Sequence, residues 1–541
     1  MELLVGLGIL GVGAGVLVVR PLARSHRIKS YTRGRELRSK RATKKVSGDA
    51  ATGLRFGNAF LPASAATQHT LVVGTTGSGK SQVQRLFMRE PLLRIQVGSD
   101  HRALIYDAKG ETCAYLRRIG VTAQVYSLNP FEKRSNEICK AVAWDIARDI
   151  TSPARSLNLA AAFIKQEHGG ANGYFTDAAR LVLDGIITSF IKHSGRAWTL
   201  SDLVNATSTR TRMEQVLGRD EHGKAVIESL LGDDRTGYAV ASTVASKMRY
   251  FSPVAAMWQR CEHKISLAEW CSSNSILLFG DNETATATLD ALNAVMFAVV
   301  AEEIDKQGQS DTRRTWLWLD EVRLAGGILN SGMLPRLAVK GRSRGCCLVL
   351  AFQDIEGFRL AAGKENADEI VAQCSNIALL RMSGEGGQFA SKLVGQYETI
   401  EVHHSDSTRL LGAETRSEQR VTKDTMLPSE FYGFPQTNPE NGLQGLFIST
   451  ERGAELVRIA PECIQQVVVT TEQEQRDAVV VRPNADQWLR GWNPKDYKRL
   501  GIERAVQEGV QEPVPTSKKL KLRLRTPDGL EEVTLPKAVG L

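Results

Sequence analysis

The stretch Gly74-Thr75-Thr76-Gly77-Ser78-Gly79-Lys80-Ser81 constrains this chain more than any other. It reads G-x-x-x-x-G-K-S, follows the apolar run Leu71-Val72-Val73 directly, and leads directly into the helical pattern QVQRLFMRE. A strand, a glycine loop and a helix in that order are the context of a phosphate-binding loop. The glycines let backbone N–H groups wrap phosphates, Lys80 reaches the β and γ oxygens, and the Ser81 hydroxyl ligates Mg²⁺ at the positive end of the helix. The cofactors implied are ATP and Mg²⁺, and the fold class is α/β.

A phosphate loop needs an acidic partner site. Trp316-Leu317-Trp318-Leu319 runs into Asp320-Glu321, four apolar residues ending in two carboxylates. Asp320 is expected to hold Mg²⁺ through water, and Glu321 to orient or deprotonate the attacking water. The next apolar run, CCLVLAF, ends at Gln353, where a polar side chain can hydrogen-bond the γ-phosphate or the water. A loop strand, an acidic strand and a glutamine strand belong together in RecA-like motors.

Other short apolar runs, Ala103–Asp107, Ser275–Phe279 and Ile377–Arg381, read as buried strands alternating with amphipathic helices, which predicts a mostly parallel sheet. From Asp145 to about Lys264 the strands stop, and segments such as Phe175–Lys192 and Arg212–Leu217 carry helical spacing only. An all-α insertion dividing a RecA-like P-loop NTPase domain is expected. Met382 to Gln388, MSGEGGQ, resembles a transporter signature loop but follows the acidic strand instead of preceding it. His403-His404 and the Cys261/His263 pair lack completing partners at metal spacing.

The 541 residues, 42% hydrophobic and 24% charged, suffice for two to four structural units and exclude wholesale disorder or a disulfide scaffold. Eight cysteines without a C-x-x-C read as core thiols of a reducing compartment. The net charge of +9 is local, because residues 20–45 hold eleven Lys/Arg against Glu36 alone, a net of +10. The globular remainder sums to about −1 and is not basic overall.

Ahead of that basic run, Leu3 to Val19 is uncharged and apolar, a span of roughly 25 Å as a helix, which reaches the hydrocarbon thickness if Pro21 and Leu22 join it. The following arginines predict an uncleaved N-terminal transmembrane helix with everything after it on the cytoplasmic side. The organisation expected is an anchor over 1–22, a basic juxtamembrane linker over 23–50, the nucleotide-binding domain over 51–149 and 266–460, and the all-α domain over 150–265. A C-terminal extension covers 461–541, where KLKLRLR, TPDG and LEEVTL predict a small hairpin.

Several ordered elements resemble the type IV secretion coupling proteins of bacterial conjugation, the TraD, TraG and TrwB group. They are the phosphate loop; Asp107-Ala-Lys109-Gly110-Glu111; Leu128-Asn129-Pro130 with Ala143-Trp144-Asp145; Leu319-Asp320-Glu321; Lys340-Gly341-Arg342 ahead of Gln353; and Leu427-Pro428-Ser429-Glu430. The resemblance implies a homo-hexameric ATPase in the bacterial inner membrane, single-pass, that receives relaxase-bound DNA, single- or double-stranded and without sequence preference, and feeds it to secretion channel proteins. In such a ring Arg342, at the end of the helical run Leu334–Lys340, is expected to reach the neighbour's nucleotide. Arg344 is the alternative, and a solvated basic turn the bland reading. The chain departs from the family in showing one membrane helix instead of two, and in Gln68 where relatives often place arginine. Another ring motor, FtsK-like or a channel-assembly ATPase, and a substrate receptor that uses ATP only as a latch, are the competing readings.

Overall fold

The short apolar runs become strands because each is bounded by turn residues and, in the middle of the sheet, buried on both faces. The computed structural model describes residues 31–37, 51–131, 139–167, 170–283, 285–406, 414–438, 440–469, 488–503, 521–526 and 529–534. In chain order the strands are β1 (Tyr31–Gly34), β2 (Leu54–Phe56), β3 (Ala59–Leu61), β4 (Thr70–Val73), β5 (His101–Asp107), β6 (Val125–Ser127), β7 (Cys139–Ala141), β8 (Ala143–Trp144) and β9 (Lys264–Ile265). They continue as β10 (Ile276–Gly280), β11 (Arg314–Leu319), β12 (Cys346–Phe352), β13 (Asn376–Leu379), β14 (Gln396–Asp406), β15 (Glu414–Asp424), β16 (Leu443–Ser449), β17 (Gly453–Ile459), β18 (Lys521–Thr526) and β19 (Gly529–Thr534).

Ten of these form one sheet in the order β17-β16-β13-β4-β12-β11-β5-β10-β6-β7. From β13 to β7 every pairing is parallel, and β16 and β17 add an antiparallel edge. Alternate side chains feed two cores. Leu71 and Val73 of β4 join the core that also holds Leu289 and Phe297 of the helix Thr286–Lys306, while Val72 joins the core of Leu86 and Phe87 from the helix Lys80–Leu93. Helices on both faces explain why the middle strands carry no polar face.

Between β8 and β9 every described element is helical, the longest being Gly170–Ser194. The entry and exit of this insertion are tied together, since β8 pairs in parallel with β9 and the buried Asp149 accepts from Trp144 Nε1 at 2.6 Å and the Leu267 amide at 2.8 Å. Three features carried no expectation. An eleven-residue hairpin, β14 with β15, is joined at its edge by β1, Gly34 opposite Tyr397. The antiparallel pair β16–β17 closes one side of the sheet. A helix in the C-terminal extension, Pro494–Leu500, docks on the insertion through Arg499, whose guanidinium lies 2.8 Å from the buried Asp202. Further on, β18 pairs with β19 from Lys521↔Thr534 to Thr526↔Gly529.

The apolar stretch Leu3–Val19 and the anchor expected over 1–22 lie outside the described residues. No helix among the described residues is long and apolar enough to cross a membrane. None of the eight cysteines forms a disulfide, and six are buried.

Candidate active site

Parallel pairing brings the carboxyl ends of the middle strands to one edge: Val73 lies opposite Phe352 and Leu379, Leu319 opposite Leu350 and Tyr106, and Asp107 opposite Gly280. The residues just beyond those ends are therefore neighbours, although hundreds of positions separate them in the chain. This edge, beside a strand from which the chain departs in both directions, is where open α/β sheets bind ligands.

Residues 74–81 turn back on themselves there. Gly77 and Gly79 have φ of +75° and +93°, and a Cβ on Gly79 would fall 2.2 Å from Leu443 Cδ1. Gly79 is also the N-cap of the helix Lys80–Leu93, and no side chain caps it, so the first helical N–H groups are left to a ligand. Lys80 Nζ donates to the Gly74 and Thr75 carbonyls at 2.9 and 3.4 Å. Burial lowers its pKa, Lys109 adds to that, and Glu321 and Asp320 oppose it.

Across the loop, Ser81 Oγ donates to Asp320 Oδ2 at 3.2 Å, and Lys109 Nζ lies 3.6 Å from the same oxygen. Asp320 Oδ1 is buried without a hydrogen-bond partner. An orphaned carboxylate oxygen beside a serine hydroxyl fits Mg²⁺, a cation that takes one or two protein oxygens and fills its other positions with water and phosphate. Among the described residues no group of three or more His, Cys, Asp or Glu could hold a metal alone, the Cys261/His263 pair included.

The expected hydrolytic pair is joined to the loop. Thr76 Oγ1 donates to Gln353 Oε1 at 3.1 Å, and Gln353 Nε2 donates to Glu321 Oε2 at 3.2 Å. One glutamine thus spans the phosphate loop and the carboxylate. Burial raises the Glu321 pKa above the ordinary carboxylate range, with the bond from Gln353 and the charge of Lys80 opposing.

Arg342 is not brought to this edge. It is exposed in the turn Arg342–Arg344 ahead of β12, at the amino end of the sheet. The seven residues of β12 separate it from Gln353 by roughly 20 Å, beyond the reach of one side chain. Arg344 Nη1 pairs with Asp305 at 3.1 Å, whereas the Arg342 guanidinium makes no hydrogen bond or ion pair among the described residues.

Residues 54–440 match the protein family described as the type IV secretion-system coupling protein DNA-binding domain. The chain belongs to this family. The fold agrees with solved coupling-protein structures. Unbound bacterial conjugative coupling protein TrwB lacking its first seventy residues is 18% identical, with a TM-score of 0.64 over 80% of this chain and 94% of that one. TrwB with ADP and Mg²⁺ is 18% identical at 0.63 over 82% and 97%, and TrwB with the GTP analogue GDPNP is 19% identical at 0.62 over 80% and 95%. A comparison with curated protein sequences gave no match.

Two parts of this coupling-protein site were not anticipated as site residues. Lys109 reaches Asp320 because Asp107 accepts the Glu111 and Thr112 amides, each at 3.2 Å, and so fixes the turn between them. The signal was the spacing Asp107-x-Lys109-Gly110-Glu111. Thr437 covers the loop, its Oγ1 donating to the Ser78 carbonyl at 2.8 Å, and nothing local in its sequence marks it. The signature-like run at Met382–Gln388 has a packing role. A Cβ on Gly387 would fall 2.4 Å from Tyr432 Cε1, so the glycine admits the helix Pro428–Tyr432, and Tyr432 Oη donates to the Gly384 carbonyl at 2.7 Å.

A raised carboxyl pKa means that the fold holds the neutral form more readily than the unfolded chain does. Ionising Glu321 therefore costs stability as pH rises past its unfolded value of about 4.3. Glu321→Gln is expected to melt at a higher temperature than the parent at pH 8, with the gain shrinking as pH falls towards 4, and to bind ATP without turning it over. A lower melting temperature at pH 8 would show that the lysines stabilise the carboxylate more than burial penalises it.

Proposed function

We propose that this chain is a membrane-anchored, homo-hexameric ATPase of conjugative type IV secretion, which uses ATP and Mg²⁺ to drive DNA delivered by a relaxase towards the secretion channel. The observation that carries the reading is the hydrogen-bonded line Thr76–Gln353–Glu321, which makes the state of the phosphate loop a condition for the hydrolytic carboxylate. A motor needs that conditionality, and family membership supports DNA as what is moved. The ADP and Mg²⁺ held by TrwB support the same ligands here.

In this mechanism the loop amides and Lys80 bind and orient the triphosphate, with Ser81 and Asp320 as the residues that hold Mg²⁺. The ion, when bound, neutralises charge on the β and γ oxygens. Glu321, buried and with a raised pKa, accepts a proton from the attacking water, and Gln353 fixes its orientation. Thr437, lying over the loop, limits water access from that side. Arg342 completes the site of the adjacent subunit.

A protein beginning at residue 23 is expected to hydrolyse ATP slowly alone and many times faster with DNA of any sequence. ATP binding without stimulation would favour a substrate receptor that uses ATP as a latch. The anchor is testable separately. Deleting residues 1–22 should give a protein that is monomeric at modest concentration and needs no detergent, yet still binds anionic vesicles through the basic run until salt screens it. A deletion variant that still requires detergent would reveal a second membrane segment.

A further inference from the structure

His69 ends the 3₁₀ turn Ala63–Gln68 and precedes β4, the strand that carries the phosphate loop at its other end. Its backbone sits at φ 52° and ψ 150°, a region that side chains other than glycine rarely occupy. A residue kept there must be held by its surroundings, and the ring shows how. It is 1% exposed, and Nδ1 accepts from the Leu348 amide at 3.1 Å. That bond sets the tautomer, so Nε2 carries the proton and donates to the Ala338 carbonyl at 2.9 Å. Burial holds the pKa at about 4, so the ring is neutral in any ordinary buffer.

The two partners are not arbitrary. The ladder between β12 and β4 begins at Val349↔Thr70, so the ring takes the Leu348 amide just where the ladder stops. Ala338 lies in the last turn of the helix Met333–Lys340, where carbonyls have no intrahelical donor. Between these two points runs the basic turn: Lys340, Gly341, Arg342, Ser343, Arg344. One imidazole therefore holds both roots of the turn, and it also ends the 3₁₀ segment whose Ser64 and Thr67 face Arg342, Lys340 and Arg314 across a recess of about 780 Å³. The turn itself has little slack, since a Cβ on Gly341 would fall 2.5 Å from the Leu337 carbonyl.

We propose that His69 is the positioning residue for Arg342, fixing the turn from which that arginine is offered to the neighbouring subunit's nucleotide. The proposal rests on the reading of Arg342 given above. It assigns His69 to the site next door, although its own strand leads to the phosphate loop of its own subunit, and that crossing is what an experiment can read.

His69→Gly removes the ring and leaves a residue that accepts the backbone angles. Alone, full-length His69→Gly protein in detergent should bind ATP as the parent does and lose at least about tenfold in kcat, the split expected of a contact made in the transition state. It is then mixed with Lys80→Ala protein, which lacks a working loop, and separately with Arg342→Ala protein. If His69 serves Arg342, the first mixture recovers activity, because some interfaces pair a sound loop with a sound arginine turn, and the second does not. The reverse pattern, recovery only with Arg342→Ala, would mean that His69 serves its own phosphate loop and would overturn the proposal, as would unchanged turnover in His69→Gly alone. A control mixture of Arg342→Ala with Lys80→Ala isolates the underlying reading: if it does not exceed its parents, Arg342 does not act in trans and the role given to His69 falls with it. Should His69→Gly fail to fold, judged by gel filtration and melting, His69→Asn replaces it. Its amide can accept from Leu348 but is too short for Ala338, and the same mixing pattern is expected.

Discussion

Lys80→Ala protein should show no ATP turnover above background while melting within a few degrees of the parent. The asymmetry follows from what Lys80 touches. Its ammonium donates only to two carbonyls of its own loop, so its loss removes hydrogen bonds worth about 0.5–1.5 kcal/mol each. Removing a half-buried cation also relieves the desolvation that lowers its pKa, which offsets part of that loss. Turnover has no such compensation. The ammonium is the positive charge that the loop itself contributes to the phosphates, and with it gone the carboxylates Asp320 and Glu321 lose a cation that offsets their charge. Charge stabilisation in a water-poor site is commonly the largest single catalytic contribution. An ATPase assay with and without DNA checks the first half, and a thermal melt the second. Turnover at the parental rate would sink the assignment of residues 74–81. A collapse in melting temperature would make Lys80 a structural residue.

The site was legible in the sequence to the extent that its parts are local. A phosphate loop is one strand, one turn and one helix in succession, so Gly74 to Ser81 could be read without knowing any partner. Asp320, Glu321 and Gln353 could be read because each ends a run too short and too apolar to be anything but a buried strand, and parallel strands carry their ends to one edge whatever their order. Lys109 and Thr437 join the site only through tertiary placement. Thr437 depends on β16 adding to the edge of β13, an antiparallel step that nothing in the apolar pattern announces.

The hairpin β14–β15 was hidden for another reason. Charged and polar residues fall on both of its faces, as in Gln396-Tyr-Glu398-Thr-Ile-Glu401, so the period of two that betrays a half-buried strand is blurred. The helix Pro494–Leu500 did carry signals: a capping box of Asn493 with Asp496, proline at its first position, and Gly501 in the left-handed conformation at its end. Its polar composition masked them. It is held by Leu500, fully buried in the core, and by Arg499 on the buried Asp202, with Trp492 Nε1 donating to the same carboxylate at 3.1 Å.

Arg342→Ala protein should lose on the order of 10³ to 10⁵ in DNA-stimulated turnover, the range found where an arginine supplied from outside a site stabilises charge on a transferring phosphoryl group. The geometry makes this more than a resemblance. Arg342 stands at the opposite end of β12 from Gln353, so it cannot touch the nucleotide bound by its own loop, and its exposed guanidinium makes no hydrogen bond or ion pair among the described residues. Arg344, two residues on, is held by Asp305, which Arg336 also meets at 2.5 Å, so it braces the turn from inside and is poorly placed to leave. If Arg342 were only a solvated cation, truncation would leave turnover nearly unchanged, since surface substitutions away from partners usually do little. A large loss alone would not separate action in trans from damage to the turn. Mixing does. Arg342→Ala subunits carry sound loops, Lys80→Ala subunits carry sound arginines, and a ring holding both contains interfaces at which the two sound halves meet. Activity above either parent, rising to a maximum at intermediate ratios, is the expected outcome. Mixtures that never exceed their parents would return Arg342 to the surface and leave the sites of this chain to be completed from some other element.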